Sequence, residues 1–283
     1  MLHDPEALSE EQLDAALVAL RAEVRSHGDL VVAFSGGADS SLLAWVATDE
    51  LGADHAEAVT AVSASLAQSE LDDCRRLADE WGMRWSTVAT AEMDDPSYLR
   101  NDLDRCYHCK SALADALEPI IESSGATVAL GVNLDDLAEH RPGQVAARER
   151  GAVFPLVDAG FTKAMVRAAS RMLGLRTADK PAAPCLASRI PYGTPVSFGV
   201  LREVEEAERA LRALGFDEVR VRHGGEVARI EVPLDRLADL IEMREQVVSG
   251  IRAAGYGRVT IDMEGLRSGN LNSQQGTTQS RPS

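Results

Sequence analysis

The chain has 283 residues, of which 45% are hydrophobic and 26% charged, enough apolar material for one large domain or two modest ones. It contains no apolar run of about 18 residues, which argues against a transmembrane helix. Acidic residues outnumber Lys and Arg by 45 to 29, and the net charge of −16 disfavours nonspecific binding to DNA or tRNA. The first 30 residues are acidic and amphipathic, so no signal peptide is expected and the predicted compartment is the cytoplasm.

Apolar strand patterns alternate with helical patterns along the first part of the chain. Residues 9–26 read as an amphipathic helix, with Ser9 as the N-cap and Gln12 in the capping-box position. Strands are predicted in DLVVAF, AEAVTAVSA, MRWSTVAT and ATVALGVN, and helices in DSSLLAWVATDEL, AQSELDDCRRLADEWG and KAMVRAASRMLG. This alternation predicts an α/β fold with a doubly wound parallel sheet.

The pattern changes after a proline-rich stretch at residues 179–197. Beyond it the order is helix (REVEEAERALRALG), strand, strand, helix (RLADLIEMREQVVSGIRAAG), strand, which is typical of a small α+β unit. We therefore predict a first domain over residues 1–190, a smaller α+β domain over 191–268 and a polar, disordered tail over 269–283.

A glycine-rich loop separates the first buried strand from the helix that follows it. Gly36 and Gly37 let backbone N–H groups approach a phosphate, and the helix N-terminus favours an anion there. The hydroxyls of Ser35 and Ser40 can add donors, whereas Asp39 suits the Mg²⁺ that accompanies a polyphosphate. The alternative is a tight turn in which Asp39 or Ser40 caps the helix. The spacing matches neither a Walker loop nor a dinucleotide fingerprint.

Other polar residues are predicted at the carboxyl ends of strands, where ligands bind in open α/β sheets. Asn133 and Asp136 follow the fourth strand, and Asp136 is a candidate second Mg²⁺ ligand or a helix cap. Lys163 could neutralise a departing pyrophosphate. Arg141 is a candidate for binding a phosphate or carboxylate of a substrate.

The four cysteines fall into two kinds. Cys74 has helical spacing with neighbouring leucines, which predicts a structural role on an apolar face. Cys106 and Cys109 form a C-x-x-C motif, which could hold a metal or cluster, form half of a structural zinc site or act as a redox pair.

Five segments together carry a family resemblance. SGGADSS resembles the pyrophosphate loop of the ATP pyrophosphatase (PP-loop) superfamily, an adenine nucleotide alpha hydrolase-like fold. NDLDRCYHCK, LGVNLDDLAEHRPGQVAARE, FPLVDAGFTKAMVR and ADKPAAPCLASRIPYG resemble the LarE family of ATP-dependent sulfur transferases. The resemblance extends over roughly residues 10–267, and PCLASR with RPG distinguishes this family from other PP-loop enzymes.

The resemblance implies an enzyme of nickel-pincer nucleotide cofactor biosynthesis. ATP would adenylate a carboxylate of a pyridinium dicarboxylate mononucleotide, and a sulfur nucleophile would displace AMP to leave a thiocarboxylate. Cys185 in PCLASR matches the sulfur-donating position of the family, and Ser188 and Arg189 are placed to contact the phosphate of the substrate. Arg220 and Arg222 share one strand face and could reach an anion.

The resemblance also allows two routes for the sulfur. Cys106, Cys109 and Cys185 would hold a 4Fe-4S cluster with one open iron, as in the cluster-dependent members of the family. Alternatively Cys185 gives up its own sulfur and becomes dehydroalanine.

The family forms oligomers, so the smaller domain is expected to mediate homo-oligomer assembly. Glu208, Glu231 and Asp239 loosely match acidic positions that gather divalent metal at subunit contacts.

Three other functions remain open at this point. A PP-loop tRNA thiolase can also carry a C-x-x-C motif and a distant cysteine, but it would need a surface for nucleic acid. An amide ligase that uses ammonia would not need the three cysteines. A non-enzymatic nucleotide sensor would bind ATP without releasing pyrophosphate.

Overall fold

The computed structural model describes residues 9–137 and 142–267. Arg141 and the predicted disordered tail at 269–283 lie outside the described residues. The first helices and strands in chain order are α1 Glu10–Ser26, β1 Leu30–Ala33, α2 Ala38–Leu51, β2 Ala56–Val62, α3 Gln68–Trp81, β3 Arg84–Ala89, α4 Pro96–Leu99, α5 Arg105–Ser124, β4 Thr127–Leu130, α6 Leu134–Leu137, α7 Pro142–Glu149, α8 Pro155–Asp158 and α9 Lys163–Met172. The later ones are α10 Phe198–Ala213, β5 Arg220–Gly224, β6 Val227–Glu231, α11 Leu237–Glu242, α12 Arg244–Ala253 and β7 Arg258–Ile261.

The described chain divides into two compact units. The first unit contains residues 9–63, 68–95 and 106–183, apart from 138–141, and the second contains 64–67, 96–105 and 184–267. Residues 184–190, which we assign by sequence to the first domain, group with the second unit. The domain boundaries and the assembly role of the smaller domain stay predictions.

The first unit contains a parallel sheet with the strand order β3-β2-β1-β4. From β1 the chain adds β2 and then β3 on one side of β1, whereas β4 pairs with β1 on its other side. The direction in which strands are added therefore reverses between β1 and β4. In open α/β sheets this reversal opens a crevice at the carboxyl ends of the strands. The fold therefore provides a ligand-binding position directly after β1 and β4.

Apolar side chains cover both faces of this sheet. On one face α1, α2 and α9 pack through residues such as Leu20, Leu42 and Val166, which are fully buried. On the other face Leu113 and Leu117 of α5 pack against the strands. The inner strands β1 and β2 are mostly buried, as expected for parallel sheets, whereas the edge strand β3 is partly exposed. The predicted α/β fold with a doubly wound parallel sheet is confirmed.

The second unit contains a smaller sheet in which β6 pairs antiparallel with β5 and parallel with β7. Its core includes Leu211 of α10, Ile251 of α12 and Tyr256. The sequence of helix, strand, strand, helical segment and strand was predicted for this region and is confirmed.

Two local predictions have different outcomes. The capping box of α1 is present, because Ser9 accepts from the backbone of Gln12 and the Gln12 side chain accepts from the backbone of Ser9. The single helix predicted in RLADLIEMREQVVSGIRAAG is wrong, because α11 and α12 are separated at Met243, where φ is −89° and ψ is 17°. The break coincides with burial of Leu240 and Val247 on either side of it.

Candidate active site

The predicted phosphate loop lies at the strand-order reversal. Gly36 has φ of +67°, a left-handed conformation that favours glycine, and Gly37 is the N-cap of α2. The buried hydroxyl of Ser40 closes the loop, since it accepts from the Ser35 backbone N–H at 3.2 Å and lies 3.1 Å from the Ser35 hydroxyl. Ser41 is fully buried, so its hydroxyl does not line the loop surface. Hydrogen bonds between Ser35 and Ser40 thus hold the loop together.

Asp39 connects the two strands that border the crevice. Its Oδ1 atom accepts from Asn133 Nδ2 at 3.0 Å, and its Oδ2 atom accepts from Lys163 Nζ at 2.5 Å. Asn133 is buried and follows β4, while Lys163 begins α9. The structure therefore brings together three residues that were predicted separately from distant parts of the sequence.

Hydrogen bonds around Asn133 fix the segment after β4. Asn133 Oδ1 accepts from the backbone N–H groups of Asp135 at 2.9 Å and Asp136 at 3.3 Å. Asp136 Oδ2 accepts in return from the Asn133 backbone at 3.2 Å, and Asp135 Oδ2 accepts from the Lys163 backbone at 2.7 Å. Asn133 thus caps α6, and Asp136 inside α6 accepts in return from the backbone of the cap residue. The role of Asp136 as a Mg²⁺ ligand stays a prediction.

The sequence interpretation missed Gly131, which lies where β4 meets the loop. A Cβ atom at Gly131 would lie 2.6 Å from Ser40 N and 2.8 Å from Asp39 C. Both are backbone atoms that cannot rotate away, so only glycine fits at this position. Its place directly after the strand next to β1 is the signal that could have identified it.

A second missed feature is a cluster of charged side chains next to the phosphate loop, formed by Glu70, Asp73, Arg176 and Lys180. Lys180 Nζ donates to Glu70 at 2.8 Å and to Asp73 at 2.7 Å, and Asp73 also accepts from Arg176 at 2.9 Å. Burial opposes the charge on Lys180, but the hydrogen bonds to Asp73 and Glu70 outweigh it and raise the pKa of the ammonium group. A Cβ atom on Gly36 would lie 3.6 Å from Lys180 Nζ, so the cluster borders the phosphate loop.

The cysteines differ in exposure, and none of the four forms a disulfide bond within the described chain. Cys74 is fully buried, and burial raises the pKa of its thiol to about 11, which agrees with a structural role. Cys106 is exposed and Cys109 is half-buried in the first turn of α5. Cys185 is half-buried at the N-cap of a 3₁₀ turn, Leu186–Arg189. No three His, Cys, Asp or Glu side chains are grouped as a metal site among the described residues.

Arg189 is bonded inside the second unit. It is 5% exposed, and its Nε and Nη2 atoms donate to Glu208 at 2.8 and 3.3 Å. Its Nη1 atom donates to the Ser188 hydroxyl at 3.0 Å and to the Pro184 carbonyl at 2.5 Å. A phosphate at Arg189 would have to replace one of these bonds, and the predicted contacts of Ser188 and Arg189 with substrate stay predictions.

The predicted acidic metal positions are ion-paired within the chain. Glu208 accepts from Arg212 as well as Arg189, Glu231 accepts from Arg222 at 2.9 Å, and Asp239 accepts from Arg236 at 2.7 Å. Arg220 lies beside the same group, and burial together with the charges of Arg189 and Arg222 lowers its pKa. The predicted role of Arg220 and Arg222 in binding an anion stays a prediction.

Comparison with known proteins gives one family match and several relatives. The family model described as NAD synthase matches residues 13–102. The uncharacterized protein slr1717 of Synechocystis sp. is 42% identical over 92% of this chain and 98% of its own length. The pyridinium-3,5-bisthiocarboxylic acid mononucleotide synthase of Lactiplantibacillus plantarum is 36% identical over 86% of this chain and 88% of its own length.

A more distant relative, the uncharacterized protein MJ0830 of Methanocaldococcus jannaschii, is 25% identical over 84% of this chain. The two nearer relatives match this chain over most of its length. The chain therefore belongs to the LarE family, the family of the pyridinium-3,5-bisthiocarboxylic acid mononucleotide synthase.

Proposed function

We propose that this chain is an ATP-dependent sulfur transferase of nickel-pincer nucleotide cofactor biosynthesis. It converts a carboxylate of a pyridinium dicarboxylate mononucleotide into a thiocarboxylate. The observation that carries the proposal is the 36% identity to the mononucleotide synthase along most of both chains. The phosphate loop at the strand-order reversal supports it independently.

The reaction has two steps. A carboxylate oxygen of the substrate attacks the α-phosphorus of ATP, the bond to the β-phosphate oxygen breaks, and pyrophosphate leaves. A sulfur nucleophile then attacks the acyl carbon, and AMP leaves with the electron pair of the acyl–oxygen bond. The residues after β1 and β4 act in the first step, and the cysteines act in the second.

The loop binds ATP through groups that stabilise developing negative charge. Ser35, Gly36, Gly37 and Ser40 surround the N-terminus of α2, where backbone N–H groups favour an anion. Lys163, now bonded to Asp39, is a cation that can move to the departing pyrophosphate.

The residues around Asp39 fit a Mg²⁺ ion by their chemistry, because carboxylate and amide oxygens are its preferred protein ligands. Asp39 and Asp136 would hold the ion, with Asn133 keeping Asp39 oriented. Because Lys163 now bonds to Asp39 Oδ2, binding of Mg²⁺ requires this bond to break. Bound Mg²⁺ would neutralise phosphate charge.

The cysteines support sulfur delivery in one of two ways. Cys106, Cys109 and Cys185 would hold a 4Fe-4S cluster, and thiols outside disulfides are the donor set that such a cluster takes. When bound, the cluster would supply an open iron for a sulfide. In the alternative, Cys185 itself is the nucleophile and loses its sulfur to the product.

Several predicted residues are candidates for binding the phosphate or the free carboxylate of the substrate. Ser188 and Arg189 follow Cys185, and Arg141, outside the described residues, remains a candidate for the phosphate or carboxylate. Arg220 and Arg222, on one strand of the second unit, remain candidates for the same anion.

The test is turnover with Mg-ATP and the pyridinium dicarboxylate mononucleotide by protein purified and cluster-reconstituted without oxygen. AMP should form together with a product in which one oxygen is replaced by sulfur, detected by mass spectrometry. ATP binding without AMP formation would favour the sensor. An amide product from added ammonia, retained in a triple Cys→Ser variant, would favour the ligase.

Iron and sulfide analysis decides between the two sulfur routes. About four irons per chain, lost in Cys106→Ala, would identify the cluster route. An iron-free protein whose Cys185 peptide loses mass to dehydroalanine after one turnover would identify the sacrificial route.

We also propose that the protein works in the cytoplasm as a homo-oligomer on a small-molecule substrate, without a membrane or nucleic-acid partner. Within residues 9–137 and 142–267, no helix is both long and apolar enough to cross a membrane. Light scattering coupled to size-exclusion chromatography, on the full chain and on variants of the second unit, tests the assembly.

A further inference from the structure

The backbone around Cys185 is held by buried arginines. Arg189 Nη1 donates to the carbonyls of Pro184 at 2.5 Å and Cys185 at 3.3 Å. Arg105 Nη1 donates to the Ala187 carbonyl at 2.8 Å, and Arg222 Nη1 donates to the Ser188 carbonyl at 2.9 Å. All these contacts lie within the second unit. Four of the five carbonyls from 184 to 188 are therefore bound by guanidinium groups.

Two of these arginines have a carboxylate partner in the core of the unit. Arg189 pairs with Glu208 at 2.8 Å and Arg222 pairs with Glu231 at 2.9 Å, and both carboxylates are fully buried. Charged hydrogen bonds of this kind are stronger than neutral ones, and paired contacts add geometric specificity. They hold the loop from the side of α10 and the smaller sheet.

Arg105 binds the loop directly at the Ala187 carbonyl and also contacts Asn101, which binds the loop further along the chain. Arg105 is 5% exposed, donates to Asn101 Oδ1 at 2.5 Å and stacks over the Tyr192 ring at 5.5 Å. Asn101 Nδ2 donates to the carbonyls of Pro191 and Thr194, each at 2.9 Å. One side-chain amide thus binds the chain on the far side of the 3₁₀ turn that follows Cys185.

The backbone of Asn101 has an unusual left-handed conformation next to these contacts. Asn101 is fully buried and has φ of +57°, in the left-handed region that residues with a Cβ atom rarely adopt, Asn and Asp being the partial exceptions. Among the described residues it is the one non-glycine residue with positive φ. Strain of this kind persists where the surrounding structure over-determines it, often next to functional residues.

We propose that Asn101 and Arg105 are positioning residues for Cys185: together they fix the loop from 184 to 194 so that the thiol is presented in one conformation before ATP or substrate binds. The inference rests on the proposed function for the role of Cys185. Neither residue needs to touch the substrate, and neither belongs to the predicted site.

The test uses the four cysteines of the full chain as probes. Iodoacetamide labelling is followed peptide by peptide with mass spectrometry, where Cys106 reports an exposed thiol and fully buried Cys74 reports global unfolding. In Asn101→Gly the backbone keeps its left-handed conformation without strain, but the amide contacts are lost. We expect Cys185 labelling to accelerate at least about fivefold relative to Cys106, because the released loop opens locally.

Two further variants separate the contributions. Asn101→Asp tolerates the same φ and keeps the acceptor for Arg105, but it removes the donor to 191 and 194, so it should give an intermediate rate. Arg100→Gly is the matched control, because Arg100 is an exposed neighbour that pairs only loosely with Asp102, at 3.5 Å. It should label like wild type.

An unchanged or slower Cys185 rate in both Asn101 variants, with Cys74 still protected, would overturn the inference. Turnover is measured in parallel, and the variants should keep the KM for ATP while kcat for thiocarboxylate formation falls. Wild-type protein that forms no thiocarboxylate would contradict the proposed function instead, whatever the labelling shows.

Discussion

At the scale of single residues, the site depends on close approach between the loop after β1 and the end of β4. Gly131 makes this approach possible, and Asp39 connects the two strands through Asn133. The sequence indicates Gly36 and Gly37 because they stand in a recognisable loop, whereas Gly131 requires knowledge of which strand lies next to β1.

Gly131→Ala should disrupt the loop. The new methyl group would lie within 2.8 Å of the Asp39 and Ser40 backbone, and overpacking of this kind costs about 1–3 kcal/mol. We expect a lower free energy of unfolding and a large loss of ATP affinity, measured by denaturant titration and calorimetry. Gly199→Ala in α10, where an added Cβ meets only the Ser197 hydroxyl at 3.9 Å, is the control and should leave ATP binding unchanged.

Lys163→Met should slow pyrophosphate release by about 10²–10³-fold, the usual effect of removing a preorganised group that stabilises developing charge. The reason is its position at the start of α9 with its ammonium group on Asp39. The comparison is Arg171→Met on the same helix, which removes an exposed cation paired with Asp179. Equal rates in the two variants would contradict the role of Lys163.

At the scale of elements, a cluster of charges joins α3 to the segment that precedes Cys185 in the chain. Glu70 and Asp73 of α3 bind Lys180, and Asp73 also binds Arg176. Burial would raise the pKa of Asp73, but the hydrogen bonds from Lys180 and Arg176 outweigh it and lower that pKa. A pattern of apolar periodicity does not reveal such a contact, because the partners are charged and far apart in sequence.

Lys180→Met should lower the free energy of unfolding by about 2–3 kcal/mol, somewhat less than the loss for a fully buried pair. The cause is the two carboxylates left close together without their shared cation. Chemical denaturation checks the value, and Asp73→Asn in the same background should recover part of it. Additive losses in the double variant would show that the two groups do not interact.

A second element-scale prediction concerns how stability depends on pH where β5 packs against Tyr256, which lies between α12 and β7. His223 is buried beside the Tyr256 hydroxyl at 3.2 Å, and burial lowers its pKa while the charge of Glu203 opposes this. The unfolded chain then takes up a proton more readily than the folded one. Stability from this group is present above the ordinary histidine pKa of about 6.5 and is lost as pH falls through the folded value.

Thermal unfolding between pH 8 and about 5 measures this effect. The melting temperature of wild-type protein should fall toward the acidic end, and His223→Asn should flatten the dependence. His55→Asn is the control, since His55 is exposed in the first unit. Parallel curves for wild type and His223→Asn would contradict the assignment.

At the scale of the whole molecule, the dominant property is the net charge of −16. Polyanions such as tRNA should be repelled, because binding of nucleic acid depends on cationic contacts with phosphates. Labelled tRNA should show no mobility shift at physiological salt, with a basic tRNA-binding protein as the positive control. A shift that weakens with added salt would revive the tRNA thiolase alternative.

The sequence by itself determined the fold class and the family. Buried parallel strands have near-continuous apolar patterns, and the family motifs are contiguous stretches of sequence, so local information is enough for both. The capping box of α1 was predictable for the same reason, since its two partners are three residues apart.

Only the tertiary structure decided which distant residues meet. The pairing of Asp39 with Lys163, the fit of Gly131 against Ser40 and the bonds from Asn101 and Arg105 to the Cys185 loop all join segments that are dozens of residues apart. Such contacts depend on strand order and on the path of loops, which no local pattern encodes. The break at Met243 was likewise not indicated by the helical periodicity of the sequence around it.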